Sequence, residues 1–545
     1  MNREQSKIFN HLIINNITIK KMKIKLTSIL YILILTLNYS CLNMGSKESN
    51  RPNIVFIMAD DHAVSAISSY NYWLSGHINT PNIDKIANEG MIMNATYNTN
   101  SICGPSRAAI LTGKYSHING FFKNEGGGDF DGTQQTFPKL FQKSGYQTAV
   151  IGKWHLGTAP TGFDYSKVMV NQGGQGTYFN TVFVENGKDT ILENSRHSTA
   201  QVAHDAINWI SKKRDKSKPF MLMYQFKAPH RPWSPDPKFK ELYSDYDLPY
   251  PESFNDDYAG RKAASENMLE IENHMNRKDL KLTPPEGLSK KELGKWNRFG
   301  NSGEFWTPND TLQGEELKKW KYQRYIKDYL RCVVGVDDAV GKMLEYLKEN
   351  NLEKNTVVVY TSDQGFYLGE HGWFDKRWMY EPSFRMPFMV KYPEKIKSGG
   401  VNDNLIVNVD FAPTLLDIAG IEVPEDIQGV SFKNQLYGDK YIKRDAIYYH
   451  YYEYPFWHKV QPHYGVSNGN YKLIHYYFNM DQWELFDLKN DKDELNNLYD
   501  LDEYKEVVSG LKIRLKELQT EYEDDMPLED MRKMTRLRIK RVYNE

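Results

Sequence analysis

Cys103-Gly104-Pro105-Ser106-Arg107, running on through Leu111-Thr112-Gly113-Lys114, sets a cysteine one step before a predicted helix start. Pro105 suits the first turn, the residues from Arg107 to Leu111 favour continuation, and Gly113 stops it. A helix N-terminus attracts negative charge, and Arg107, four residues on, falls on the same face as Cys103, where it can hold an anion. A thiol so placed is expected to be reactive. A second group supplies hard oxygen: Asp60, Asp61, Asp363 and the amide of Gln364. Carboxylates and an amide without imidazole or thiolate partners suit calcium or magnesium and argue against zinc. Lys153, His155, His230 and Lys376 add cations and groups that titrate near neutrality.

These residues follow apolar runs. Asn53 to Ala59 reads as a buried strand ending at Asp60-Asp61-His62, and Gln147 to Ile151 leads into Gly152-Lys153-Trp154-His155. Phe220 to Phe226 leads into Lys227-Ala228-Pro229-His230, and Thr356 to Ser362 into Asp363-Gln364-Gly365. Open parallel α/β sheets build ligand sites at the carboxyl ends of their strands, so four strands delivering polar residues there predict one site. Helical patterns at Ile83 to Asn88, Phe137 to Ser144 and Gln323 to Asn350 separate the strands. The fold class is therefore α/β, a mainly parallel sheet flanked by helices. The large domain is expected over residues 52–440, with a Pro- and Gly-punctuated surface insertion at about 250–320 that could shape a substrate mouth. A smaller α+β domain is expected over 445–545, with a hairpin turning at Asn468-Gly469 and a closing helix near Tyr504 to Glu521.

The cysteine segment resembles the CxPSRxxxLTG signature of type I sulfatases, and the match is complete through Gly113. The resemblance implies the alkaline-phosphatase-like sulfatase fold and a Cys103 oxidised after translation to formylglycine (3-oxoalanine). It also implies bound calcium, with magnesium second, on Asp60, Asp61, Asp363, Gln364 and the converted Cys103. Gln364 departs from the asparagine more common in the family. By the same resemblance Lys153 and Lys376 would grip sulfate oxygens, and Arg107 would steady the aldehyde hydrate. His230 would protonate the departing sugar oxygen, and His155 would take a proton from the formylglycine hydroxyl. One hydroxyl of the hydrate would attack sulfur, and the other would collapse to aldehyde and expel sulfate.

Length and composition fit a large exported enzyme: 545 residues, 40% hydrophobic, 26% charged, with a formal net charge of -1 that offers nucleic acid no general attraction. Lys20, Lys21, Lys23 and Lys25 precede an apolar run from Leu26 to Leu37, so residues 1–41 read as a signal peptide, with Met22 as an alternative start that opens a more conventional signal sequence. Its end, Leu37-Asn38-Tyr39-Ser40-Cys41, resembles a loose lipobox. Lipid on Cys41 would tether the protein to an outer membrane, the one membrane contact expected, and the periplasm is the other address. Cys332, in an apolar helical run, reads as core, and no disulfide framework is implied.

The segments Phe226 to Trp233 and Asp375 to Glu381 resemble those of bacterial polysaccharide sulfatases, including the N-acetylglucosamine-6-sulfatase-like group. A sulfated carbohydrate is the expected substrate, with ulvan, carrageenan, glycosaminoglycan and mucin glycan all open. A formylglycine-generating or anaerobic sulfatase-maturating enzyme is the expected partner. Arg231, Trp233, Arg377, Trp378 and His458 are candidates for selecting the sugar, and His371 for lining the site. Two rival functions stay open at this point: a phosphodiesterase or phosphonate hydrolase on the same scaffold, and a non-catalytic envelope protein that binds sulfated glycan.

Overall fold

The computed structural model describes residues 51–124, 129–282, 286–296 and 312–543; the expected signal peptide and Cys41 lie outside them. Strand β1 (Asn53–Ala59) is buried along its whole length. Ile54, Phe56 and Met58 enter one core layer, while Val55, Ile57 and Ala59 enter another. A strand apolar on both faces belongs in the middle of a sheet covered on both sides. Its sheet contains, in chain order, β2 (Met91–Met93), β3 (Gln147–Gly152), β4 (Tyr165–Met169), β5 (Thr181–Glu185), β6 (Asp189–Glu193), β7 (Phe220–Gln225), β8 (Thr356–Ser362), β9 (Phe388–Lys391) and β10 (Gly400–Asn402). Among the described residues the spatial order is β10-β2-β9-β8-β1-β7-β3-β4-β5-β6. The block β8-β1-β7-β3-β4 is parallel, and β9 and β5 flank it antiparallel.

Register explains why the polar residues converge. Ala59 lies opposite Ser362, Met58 opposite Gln225, and Gln225 opposite Gly152. The next residues out of the sheet, Asp60, Asp363 and Lys153, therefore emerge together at one edge. Gly152 has φ +113°, and a Cβ there would stand 1.8 Å from the Gln225 carbonyl oxygen, so only glycine lets β3 close on β7 at this edge.

Helix α1 (Cys103–Thr112) begins at Cys103 itself, is buried at every residue, and is capped by Gly113 in the left-handed region. Helix α2 (Gly314–Glu349) packs its apolar side on the sheet and starts earlier than the expected Gln323. Its first turns are mostly charged and exposed, which hides the helical period from the sequence. Among the described residues between β7 and α2, the chain forms short turns and helices.

The smaller sheet is an antiparallel meander of β11 (Ile447–Tyr451), β12 (His463–Ser467), β13 (Tyr471–Tyr476) and β14 (Gln482–Asp487). Helix α3 (Lys505–Glu521) packs against it. The chain does not close there as expected, because α4 (Leu528–Tyr543) follows. That helix is rich in Arg and Lys, and its polarity masks its period.

Candidate active site

Asp60 and Asp61 leave β1 side by side, and Asp61 takes φ 67°, a left-handed conformation that costs a non-glycine residue energy and is typical of functional sites. Its backbone N–H donates to Asp363 Oδ1 at 3.1 Å, locking the ends of β1 and β8. Arg107 reaches from α1 to donate through Nε to Asp363 Oδ2 at 2.9 Å and through a terminal nitrogen to Gln225 Oε1 at 2.9 Å. Ser106 donates to the Asp363 carbonyl. The cysteine helix is thus pinned to two strand ends, and Cys103 Sγ lies 3.8 Å from Asp61 Oδ1.

Two buried ammonium groups face these carboxylates. Lys153 pairs with Asp60 Oδ2, and Lys376 pairs with Asp61 Oδ1 and comes within 3.0 Å of Cys103 Sγ. Lys376 is flanked by Asp375 at φ 79° and Arg377 at φ 95°, a strained run that turns its side chain inward. His230 Nε2 stands 3.7 Å from Asp61 Oδ2. Its Nδ1 is 2.7 Å from the Arg231 carbonyl oxygen. A carbonyl can only accept, so Nδ1 carries a proton and Nε2 is left facing the carboxylates.

Burial pushes Asp61 up to about 7 against the pull of Lys376. Asp60 is equally buried, yet Lys153, His230 and Arg107 hold it well below the usual carboxylate range. Burial presses His230 and His155 toward the neutral form, with Lys153 adding to the effect on His155. The Cys103 thiol corrects an expectation. Burial first, then the charge of Asp60, pushes it up against the pull of Lys153 and Lys376, opposite to the direction expected of a thiol at a helix start.

The donor set fits a hard cation. Asp60 Oδ1, Asp61 Oδ2 and Gln364 Oε1 are buried oxygens with no hydrogen-bond partner. Ligand atoms of Asp60, Asp61, Cys103 and His230 lie within 4.8 Å of one another. Gln364 turns its amide nitrogen to Asp61; its oxygen and nitrogen differ only by a flip, and a cation would take the oxygen. Both Asp363 oxygens accept hydrogen bonds from Asp61 and Arg107, so this residue reads first as a positioning group.

Cys103, His230 and Lys376 line one cavity of about 310 Å³, together with Arg231, Arg377 and Trp457. His155 lines a neighbouring cavity with Gly173 and Gly174. Trp233 and Trp378 are fully buried, which removes them as sugar-stacking candidates. Trp233 packs 4.6 Å from the Tyr325 ring, and Trp378 lies among Trp373, Tyr380 and Tyr476. His371 is buried with Nδ1 2.7 Å from Asp256 Oδ2 and serves the framework instead of the cavity. His458 lies behind the wall, bonded to the Met268 carbonyl and Asp375. Asn276, Lys278, Asp279 and Trp457 line the cavity without having been singled out in the sequence. Three of them sit on the insertion, where no periodicity or motif marks them.

The Sulfatase family model matches residues 52–421, and the model described as "N-sulphoglucosamine sulphohydrolase, C-terminal" matches 369–521. The chain is 45% identical over 508 residues, 90% of each sequence, to the N-acetylglucosamine-6-O-sulfatase of Bacteroides thetaiotaomicron. A solved protein in complex with its substrate D-glucosamine-2-N,6-O-disulfate superposes with TM-score 0.80 and 44% identity, covering 88% of this chain and 99% of that one. The phosphonate monoester hydrolase of Agrobacterium radiobacter shares the fold, with TM-score 0.65 and 19% identity over 87% of this chain and 96% of its own. Strand ends that gather a cysteine, paired aspartates and buried lysines, together with a family match running from β1 past α1 and β8, establish that the chain is an enzyme of the sulfatase family.

Proposed function

We propose that this sulfatase releases sulfate from the 6-O position of a glucosamine unit in a sulfated carbohydrate, with Cys103 converted to formylglycine and calcium held beside it. The observation that carries the reaction is the meeting of Cys103, Lys376 and His230 at one cavity over the buried Asp60–Asp61 pair. The sugar is supported by what the 45% identical relative is named for and by the disulfated glucosamine in the related complex.

Asp60, Asp61 and Gln364 would hold the cation, with Asp363 and the converted Cys103 beside them. Calcium there would supply positive charge that polarises oxygen, and hydrated formylglycine would supply the attacking hydroxyl. Lys376 and Lys153 place fixed ammonium charge where a sulfate ester must sit, offsetting its negative charge and the charge that develops on the leaving oxygen. His230 presents Nε2 to that oxygen with its other nitrogen fixed. Burial favours its neutral form, and an arriving sulfate raises its affinity for the proton it delivers. His155 can take a proton at its unpartnered Nδ1. Cys103 is only 1% exposed, so a maturating enzyme must reach it before this fold closes. Export, with lipid on Cys41 or release into the periplasm, is the expected setting.

Sulfate release from a panel of defined sulfated saccharides, with calcium present and Cys103→Ala as the blank, tests this reading. It requires release from 6-sulfated glucosamine by the parent alone. Preference for another sugar position would overturn the substrate, and inactivity with Cys103 converted would turn the search to phosphate esters or glycan binding.

A further inference from the structure

The insertion between β7 and α2 contributes a carboxylate to the cavity that nothing in the reaction uses. Asp279 is 5% exposed and lines the same cavity as Cys103 and Lys376, yet its Oδ2 has no hydrogen-bond donor. Its nearest cation is Arg231, whose guanidinium stands 3.8 Å from Oδ2 and is shared with Asp375 Oδ2 at 3.2 Å. A buried carboxylate oxygen left without a donor is costly, and such groups are retained where a ligand supplies the missing partner.

The loop holds this side chain rigidly. The Asp279 N–H donates to Asn276 Oδ1 at 2.8 Å, the Leu282 N–H to the Arg277 carbonyl at 3.0 Å, and Lys281 reaches both Asp328 of α2 and the Trp233 carbonyl. Internal bonds therefore fold the short run 276–282, and Lys281 together with Arg324 Nε, which donates to the Leu280 carbonyl at 2.8 Å, ties its later part to the body of the domain, which pre-orders the carboxylate. A sulfate ester offers only acceptors, so Asp279 cannot serve the sulfate itself. A sugar offers hydroxyl donors, and a site built to bond a hydroxyl rejects substrates lacking it far more strongly than an apolar pocket rejects an extra group.

We propose that Asp279 is a specificity-determining residue: its free carboxylate oxygen accepts a hydrogen bond from a ring hydroxyl of the sugar whose sulfate lies at Cys103. This rests on the sulfated-glucosamine reading above, and Arg231 and Lys278 frame the same wall.

The test compares kcat/KM for glucosamine-6-sulfate and its 3-deoxy and 4-deoxy analogues in the parent, Asp279→Ala and Asp279→Asn. In the parent, one deoxy analogue should be about 10- to 100-fold poorer, the range for a hydrogen bond to a charged group. That gap should collapse in Asp279→Ala, where neither substrate finds an acceptor, and persist in part in Asp279→Asn, whose amide oxygen still accepts. Equal gaps in parent and Asp279→Ala for both analogues would overturn the proposal, as would an Ala variant as active as the parent on the full sugar. Should Asp279→Ala fail to fold, a parent that cleaves both analogues as well as the full sugar overturns it alone. A parent inactive on glucosamine-6-sulfate but active on another sulfated sugar would instead sink the substrate reading, and the same comparison would then be run on deoxy forms of that sugar.

Discussion

At the scale of single residues, the site works by matching buried charges. Lys153 and Lys376 each neutralise one aspartate, leaving one oxygen of each free, and Arg107 is spent on holding Asp363. Removing one partner of such a pair leaves the other buried and uncompensated. Lys376→Met should therefore lower kcat/KM for the sugar sulfate by about 100-fold or more, since it strips a fixed charge from the reacting centre; an assay within tenfold of the parent would remove Lys376 from that role. His230→Gln should lower kcat on sugar esters by about 10²- to 10⁴-fold, the usual worth of a general acid, with KM little changed. A rise in KM alone would make it a binding residue. The sequence disclosed most of these side chains, because they stand after an apolar run or inside the cysteine motif, whereas Lys376 was marked only by the resemblance of its Asp375-Lys376-Arg377 run. It misled at Trp233 and Trp378: both stand in conspicuous motifs, but their large apolar surface fills the core, and burial outweighs any value as sugar platforms. Asp279 gave no signal, since a lone aspartate in an aperiodic insertion resembles any solvated turn.

At the scale of elements, strand register does the positioning. Asp60 and Asp363 are neighbours because Ala59 pairs with Ser362, and a shift of one residue would turn every side chain of β1 to the opposite face. Those strands were legible because their apolar runs are unbroken. The outer strands β5 and β6 were not, since β6 is mostly exposed and carries no buried period. Ile57 is fully buried at the centre of β1, so Ile57→Ala should cost about 2–5 kcal/mol of stability, read from denaturant unfolding. In the small sheet, Glu484 of β14 is fully buried beneath Tyr380 and Tyr476, and burial raises it from 4.5 to about 7. Because the folded state holds this proton more tightly, its contribution to stability is complete below pH 4.5 and is lost as pH rises through 7. Thermal melts should show Glu484→Gln losing less stability than the parent between those limits; parallel curves would contradict this.

At the scale of the whole molecule, the proposed function makes activity depend on a cation held by the unpartnered oxygens of the buried site. Chelation should abolish turnover and lower the melting temperature, with calcium restoring both, because ligand binding to the folded form alone stabilises it by mass action. Unchanged melting and activity after exhaustive chelation would remove the metal from the account. The family and the sheet could be anticipated from one motif and four strands, whereas the shape of the cavity could not, since its outer wall comes from the insertion. The most direct test of conversion at Cys103 is the initial rate of sulfate release from glucosamine-6-sulfate across preparations whose fraction of formylglycine at residue 103 is known from peptide mass. The rate should rise in proportion to that fraction and extrapolate to zero for the unconverted thiol. A rate independent of the converted fraction would contradict the mechanism.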